Sequence, residues 1–308
     1  MRVVFMGTPS FAVPSLKKLA DSFEVALVLT RPDAVRSRGK KLEPSPVKEA
    51  ALELGLPVIE ANRMTEDVLD RLRDVQADVF CVAAYGCILP DEVLHMAPLG
   101  CVNVHASLLP RWRGAAPIQR SILEGDAETG VSIMRIGHGV DTGAYCAQAS
   151  CAVPGKSADE LTAELAELGG DLLVRTLPAI ADGSAVWTEQ DESLVTHAAK
   201  IAKAELRLDP AAGALENIRR VMASSNAAPA RCVIAGKPVR VMRAAAVDAA
   251  SPSVAAGSFT VKGGRVYMGC ADGSLELISI KPDGKREMDA KSWAAGQRED
   301  DGTWGCLE

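Results

Sequence analysis

Hydrophobic residues in the first two-thirds of the chain fall into short, almost unbroken runs separated by segments with helical spacing. The runs cover residues 3–6, 25–29, 79–84 and 101–104. Apolar strands that alternate with helices are typical of a parallel sheet covered on both faces. The pattern therefore predicts an α/β domain with a Rossmann-like, mostly parallel sheet.

The pattern changes after residue 208, where single apolar positions alternate with polar ones. Phe259 and Val261 flank Thr260, and Gly263 and Gly264 then supply a two-residue hairpin turn. Short strands joined by tight turns predict a small, OB-like β-barrel. The predicted organisation is a first domain over residues 1–188, a linker over 189–208 and the barrel over 209–308.

Composition narrows the class of protein. The chain has 308 residues, of which 48% are hydrophobic and 24% charged, as in soluble globular proteins with room for two domains. The first apolar run is too short for a signal peptide or a membrane span. The eight cysteines have no Cys-x-x-Cys spacing, and the four histidines have no metal-ligand spacing with them. We therefore expect a cytoplasmic protein with reduced thiols, no metal and no membrane contact.

Charge is distributed unevenly along the chain. Residues 207–298 hold 14 basic and 8 acidic side chains, a net charge of +6, although the whole chain has a net charge of −6. A basic module attached to an acidic one hints at a polyanionic partner such as a nucleic acid. Charge alone nevertheless favours an ordinary solvated surface, because the excess is modest for a module of this length.

The candidate chemistry lies around residues 103–117. Asn103 and His105 are two residues apart, so on a strand their side chains share one face. Asp141 follows downstream within Gly139-Val140-Asp141-Thr142-Gly143. An amide, an imidazole and a carboxylate without an adjacent nucleophile suit the transfer of a carbonyl group to an amine. Taken singly, each residue could equally be a turn former or a satisfied core residue.

A nicotinamide-dependent enzyme is excluded by the turn after the first predicted strand. This turn reads Gly7-Thr8-Pro9-Ser10 and lacks the Gly-x-Gly-x-x-Gly spacing that lets a backbone approach a pyrophosphate.

The motifs of the first 206 residues resemble those of the methionyl-tRNA formyltransferases, within the formyltransferase superfamily. Asn-Val-His-Ala-Ser-Leu-Leu-Pro at 103–110 is similar to a pattern shared across that superfamily. Two segments are similar to the initiator-tRNA enzymes in particular, namely Ala-Ala-Pro-Ile-Gln-Arg at 115–120 and the Gly-Lys-Lys-Leu-Glu-Pro segment that begins at residue 39. Matching motifs are frequent over residues 1–206 and rare beyond residue 206.

The resemblance implies an activity and a set of site residues. The enzyme would transfer a formyl group from 10-formyltetrahydrofolate to the amino group of methionine on initiator methionyl-tRNA, for translation initiation. It implies a catalytic domain over 1–188, a tRNA-binding barrel, and no obligatory protein partner. The implied residues are the catalytic Asn103, His105 and Asp141, the folate-binding Ser107, Leu108, Leu109, Pro110, Tyr85, Gly86, Ile88 and Leu89, and the tRNA-binding Arg36, Arg38, Lys40 and Lys41.

Departures from the family pattern leave two alternatives open. Residues 224–231 lack the aromatic motif that the family often shows there, so we do not expect stacking on RNA at this point. One alternative is an N-formyltransferase that acts on an amino-sugar nucleotide. The other is an inactive RNA-binding paralogue, against which the intact Asn103, His105 and Asp141 argue.

Overall fold

The computed structural model describes residues 1–35, 42–248, 250–297 and 299–307. The chain divides into two compact units, each described by itself. The first contains Met1–Pro117, Glu128–Ala152 and Leu161–Ala199, and the second contains Ile118–Ala127, Val153–Glu160 and Lys200–Glu308. Among the described residues, no helix combines the length and the apolar character needed to cross a membrane.

The first unit is an α/β sheet with helices between its strands. Its strands are β1 (Arg2–Gly7), β2 (Glu24–Thr30), β3 (Ala34–Val35), β4 (Leu42–Glu43), β5 (Val58–Glu60), β6 (Val79–Ala83), β7 (Cys101–His105), β8 (Arg113–Gly114), β9 (Glu128–Arg135), β10 (Tyr145–Ala152) and β11 (His197–Ala198). Its helices are α1 (Val13–Ser22), α2 (Pro46–Glu53), α3 (Glu66–Val75) and α4 (Asp91–Leu94), while α5 (Pro117–Glu124) and α6 (Ala158–Ala181) contain residues of both units.

Seven of these strands form one sheet, in the order β10–β9–β7–β6–β1–β2–β5. The strands from β5 to β7 are parallel, and β9 and β10 are antiparallel. Strands β1 and β6 are buried almost throughout, which explains their unbroken apolar sequences. The structure thus confirms the predicted Rossmann-like, mostly parallel sheet.

The topology brings the carboxyl ends of β1, β6 and β7 side by side. From β1 the chain builds outward through β2 to β5, and it then returns to add β6 and β7 on the opposite side. Such a switch in strand order opens a crevice at the carboxyl ends of the strands, where α/β proteins bind ligands. The Thr8 hydroxyl donates to the Tyr85 carbonyl over 2.9 Å, which ties the loop after β1 to the loop after β6.

The second unit is a closed β-barrel. Its strands and helices are α7 (Ala214–Met222), β12 (Arg231–Ile234), β13 (Lys237–Ala246), β14 (Ser258–Lys262), β15 (Arg265–Cys270), β16 (Gly273–Pro282), β17 (Met288–Asp289), α8 (Ala290–Ala294) and β18 (Asp301–Gly305). Pairing of β13 with β16 closes the ring β13–β12–β18–β14–β15–β16, and β17 attaches to β16. The predicted barrel is confirmed, as is the Gly263–Gly264 turn between Lys262 and Arg265.

Residues 189–199 of the predicted linker lie within the first unit, which extends to Ala199. Strand β11 pairs with β8, and Thr196 holds Trp112 and Arg113 through hydrogen bonds of 2.9 Å. These partners are more than 80 positions apart in sequence, so local composition could not indicate the contact.

Candidate active site

His105 ends strand β7 and faces Asp141 across 3.6 Å, measured from Nδ1 to Oδ2. The imidazole is only 5% exposed. Its Nε2 lies 3.0 Å from the Trp112 carbonyl, and because a carbonyl oxygen only accepts, Nε2 carries a proton and donates. Proton exchange between the ring and the Asp141 carboxylate is therefore confined to Nδ1.

Asp141 occupies an unusual backbone position in the loop between β9 and β10. Its φ is +54°, in the left-handed region that few non-glycine residues adopt. The carboxylate oxygen that faces His105 also accepts the Gly114 backbone N–H over 3.0 Å. Two further non-glycine residues have positive φ angles. Ala84, which follows β6, has a φ of 46°, and Trp112, which precedes β8, has a φ of 65°.

Asn103 lies on β7 two residues before His105, so the alternation of the strand directs both side chains to one face. The residue is half-buried. Among the described residues, none forms a hydrogen bond with its carboxamide. The structure thus brings the three predicted catalytic residues to one end of the sheet, with the Asn103 amide available as a donor.

The predicted folate loop, Ser107–Pro110, follows His105 and is held by two side chains that sequence reasoning missed. Ser132 on β9 accepts the Leu109 N–H over 3.1 Å and donates to the Ser107 carbonyl over 2.7 Å. Gln148 on β10 donates to the Leu109 carbonyl and to the Ser132 hydroxyl, each over 2.9 Å. The loop contains a cis peptide bond between Leu109 and Pro110.

The second predicted folate segment, residues 85–89, follows strand β6 beside the Ser107–Pro110 loop. Tyr85 is 2% exposed and donates its hydroxyl to the Ala61 carbonyl, so its side chain belongs to the core and could contribute to a site only through its backbone. Gly86 has a φ of +81°. Leu89 is partly buried against the core, whereas Ile88 is 93% exposed. Ile88 is therefore the large side chain of this segment most accessible to a ligand.

The predicted tRNA-binding residues Arg36, Arg38, Lys40 and Lys41 lie outside the described residues. Lys48, which follows them, bridges the carboxylates of Asp33 and Glu60 at 2.8 and 3.0 Å. Arg31, which precedes them, donates to the Asn62 carboxamide over 3.0 Å.

A cavity of about 410 Å³ is lined by both chain neighbours of Asp141. It is lined by Arg113, Gly114, Ala115, Val140, Thr142, His197, Ala198 and Ala199. Val140, the neighbour of Asp141, is 73% exposed. A mainly apolar cavity thus opens directly beside the carboxylate. Within the described ranges, no cluster of three or more His, Cys, Asp or Glu side chains could hold a metal ion.

The fold and the site define the class of protein as a formyltransferase. Residues 1–177 match the family model of formyl transferases, and residues 200–298 match the model of the formyl transferase C-terminal domain. The chain therefore belongs to the formyltransferase family.

Solved structures of three proteins share this fold over nearly the whole chain. The sugar 3N-formyl transferase WlaRD, solved with dTDP and 5-N-formyl-THF, is 14% identical, with 93% of this chain and 99% of that chain covered and a TM-score of 0.68. An N-formyltransferase from Helicobacter canadensis, in complex with folinic acid and dTDP-3-aminofucose, is 16% identical, with coverage of 89% and 98% and a TM-score of 0.68. HypX from Aquifex aeolicus, in complex with tetrahydrofolic acid, is 16% identical, with 97% of this chain but 48% of HypX covered and a TM-score of 0.64.

Proposed function

We propose that this formyltransferase transfers the formyl group of 10-formyltetrahydrofolate to the amino group of methionine on initiator methionyl-tRNA. The observation that carries the proposal is the His105–Asp141 pair at the end of β7, with the Asn103 amide on the same face. The folate-type ligands of the three solved structures support the donor. The motifs at 115–120 and around residue 39 support the acceptor.

Each residue of the trio has a role that follows from the bonds that change. The acceptor nitrogen attacks the formyl carbon, and the resulting tetrahedral carbon carries a negative oxygen. Donors placed in advance stabilise that oxygen: the Asn103 amide supplies a hydrogen bond, and a protonated His105 supplies a positive charge nearby. Collapse breaks the bond between the formyl carbon and the folate nitrogen. The acceptor nitrogen loses a proton and the folate nitrogen gains one, and Asp141 either keeps His105 protonated or relays that proton through water.

The cavity lined by Val140 and Thr142, the two neighbours of Asp141, supports an acceptor that approaches the site there. Val140, Ala115 and Ala198 give the cavity an apolar lining that suits an uncharged side chain such as that of methionine.

An amino-sugar nucleotide is the second candidate acceptor. The sugar 3N-formyl transferase and the Helicobacter canadensis enzyme share the fold over both units, and these two similarities support this acceptor better than they support tRNA. Both candidates need the same trio and the same donor, so they differ only in what brings the amine to the site.

A side-by-side acceptor assay tests the proposal. The protein is incubated with 10-formyltetrahydrofolate and, separately, with charged initiator tRNA, charged elongator tRNA and dTDP-3-aminofucose, and products are identified by mass spectrometry. We expect N-formylmethionine from initiator tRNA and far less from elongator tRNA. Formylation of the sugar alone would establish the second candidate, and no transfer to any acceptor would favour the inactive paralogue. Parallel reactions with His105→Ala exclude uncatalysed transfer.

A further inference from the structure

Gln190 lies outside every motif that suggested a function, yet its carboxamide is fully used at the site. The residue is 8% exposed. Its Nε2 donates to the backbone carbonyls of Asp141 and Gly143, over 2.9 and 2.7 Å. Its Oε1 accepts from Nε of Arg113 over 2.8 Å. One side chain therefore holds the Asp141 loop at two backbone positions.

Arg113 connects this contact to the carboxylate of Asp141 itself. Its guanidinium is 4% exposed and donates to both carboxylate oxygens of Glu192, over 2.9 and 3.3 Å. The hydrogen bond from Arg113 holds the pKa of Glu192 below its usual value. The next residue, Gly114, donates its N–H to Asp141 Oδ2. The segment Arg113–Gly114 thus holds Asp141 twice, directly at the side chain and through Gln190 at the backbone.

The Asp141 loop needs such support because its conformation is unfavourable by itself. A non-glycine residue in the left-handed region costs about 1–2 kcal/mol, and aspartate tolerates it better than most. The Gly143 Cα lies so close to the Arg135 carbonyl on β9 that a Cβ would overlap it. If the two carbonyls were released, the loop could relax to an ordinary φ and turn the Asp141 carboxylate away from Nδ1 of His105.

We infer that Gln190 is a positioning residue for formyl transfer, which fixes Asp141 in the left-handed conformation that directs its carboxylate to His105. The inference rests on the proposed role of Asp141 and is independent of which acceptor is used. Gln190 acts through Asp141, so its removal should slow the chemical step without weakening donor binding.

The variant Gln190→Glu separates this role from simple packing. Glutamate keeps the size of the side chain and an acceptor for Arg113, but it loses both N–H donors and sets an anion against two carbonyl oxygens. We expect kcat to fall on the order of 10- to 100-fold, less than the roughly 100- to 1,000-fold lost when a transition-state donor itself is removed, with the KM of the folate donor little changed. Gln297→Glu is the matched control, because Gln297 makes a similar side-chain bond to the Trp293 carbonyl in the barrel, and it should leave kcat unchanged.

A double variant shows whether Gln190 acts through Asp141. If it does, Asp141→Asn with Gln190→Glu loses no more activity than Asp141→Asn alone, whereas independent roles make the two losses multiply. The imidazole signals of His105, assigned with His105→Ala, give a second test by NMR that needs no acceptor. Their chemical shifts should move away from the wild-type positions in Gln190→Glu, as they should in Asp141→Asn.

Different outcomes of these measurements would contradict the inference and the proposed function. Wild-type kcat and wild-type His105 chemical shifts in Gln190→Glu, or multiplied losses in the double variant, would overturn the positioning role. A wild-type enzyme that does not formylate methionyl-tRNA would overturn the proposed acceptor while leaving the NMR result valid.

Discussion

At the scale of single residues, we expect the largest losses of activity from substitutions in the predicted catalytic trio. Asn103→Ala, His105→Ala and Asp141→Asn should each lower kcat by on the order of 100-fold or more, as expected when a transition-state donor or its partner is removed. The fold should persist, because the His105 contacts lie at the strand end and the Asn103 carboxamide forms no hydrogen bond among the described residues. Steady-state kinetics together with circular dichroism provide the check, and near-normal turnover in His105→Ala would refute the mechanism.

Sequence reasoning reached the trio but not the residues that hold it. The Asn-x-His spacing and the glycines around Asp141 mark those residues within short motifs. Gln190 contacts Asp141 from 49 positions away through backbone carbonyls. A contact between a side chain and a backbone leaves no pattern in composition or periodicity, so such partners emerge only from the fold.

At the scale of elements, β9 and β10 act as a brace for the loop that follows β7. Removing the Ser132 hydroxyl would leave the Leu109 N–H and the Ser107 carbonyl without this partner, and unsatisfied buried groups cost about 1–3 kcal/mol each. Ser132→Ala should therefore lower the free energy of unfolding and raise the KM of the folate donor.

Ser121→Ala provides the comparison for that experiment. Ser121 is also fully buried, and its hydroxyl donates to the Ile118 carbonyl within helix α5. It should cost stability without changing the KM of the donor. Equal effects of the two variants on that KM would mean that the Ser107–Pro110 loop does not bind the donor.

In the first unit, central parallel strands could be predicted as apolar runs, whereas an edge strand and two short strands could not. Strands β1 and β6 are covered on both faces and read as apolar runs. Strand β10 alternates partly buried and exposed positions and contains Gln148 and Ser150, so it lacks the apolar run of a central strand. The short β8 and β11 exist only because they pair with each other across the chain.

At the scale of the whole molecule, the buried thiols predict a loss of stability in alkali. Burial raises the pKa of Cys101 to about 12 and that of Cys146 to about 11, from an ordinary value of 9.0. The unfolded chain therefore releases these protons first, so stability is full below pH 9 and falls as the pH rises towards 11 and 12. For a fully buried thiol the slope approaches about 1.4 kcal/mol per pH unit.

Denaturant unfolding between pH 7 and 10.5 measures that slope. Cys101→Ala should flatten it, while Cys306→Ala, at an exposed position, should not. A slope that Cys101→Ala leaves unchanged would assign the alkaline loss to other groups.

The barrel gives a second prediction at this scale, based on the excess of basic residues over 207–298. Lys285→Ala and Arg286→Ala remove two exposed charges. If the barrel binds the phosphates of tRNA, the dependence of tRNA affinity on salt should become less steep, by a slope change of about 0.7–0.9 for each phosphate that is no longer neutralised. Binding measured at several salt concentrations tests this, and an unchanged slope would remove these two residues from the RNA-binding surface.

The left-handed residues also divide the chain into positions where heat resistance can and cannot be engineered. Gln76, which ends helix α3, and Ala235, in the turn between β12 and β13, have φ angles of 50° and 49° far in sequence from the trio. Gln76→Gly and Ala235→Asn place favoured residues at a helix end and in a two-residue hairpin turn, each worth about 0.5–1 kcal/mol. Together they should raise Tm by several degrees at unchanged kcat, whereas Trp112→Gly would remove a side chain that is only 7% exposed and lose about 3–5 kcal/mol, far more than the strain relieved.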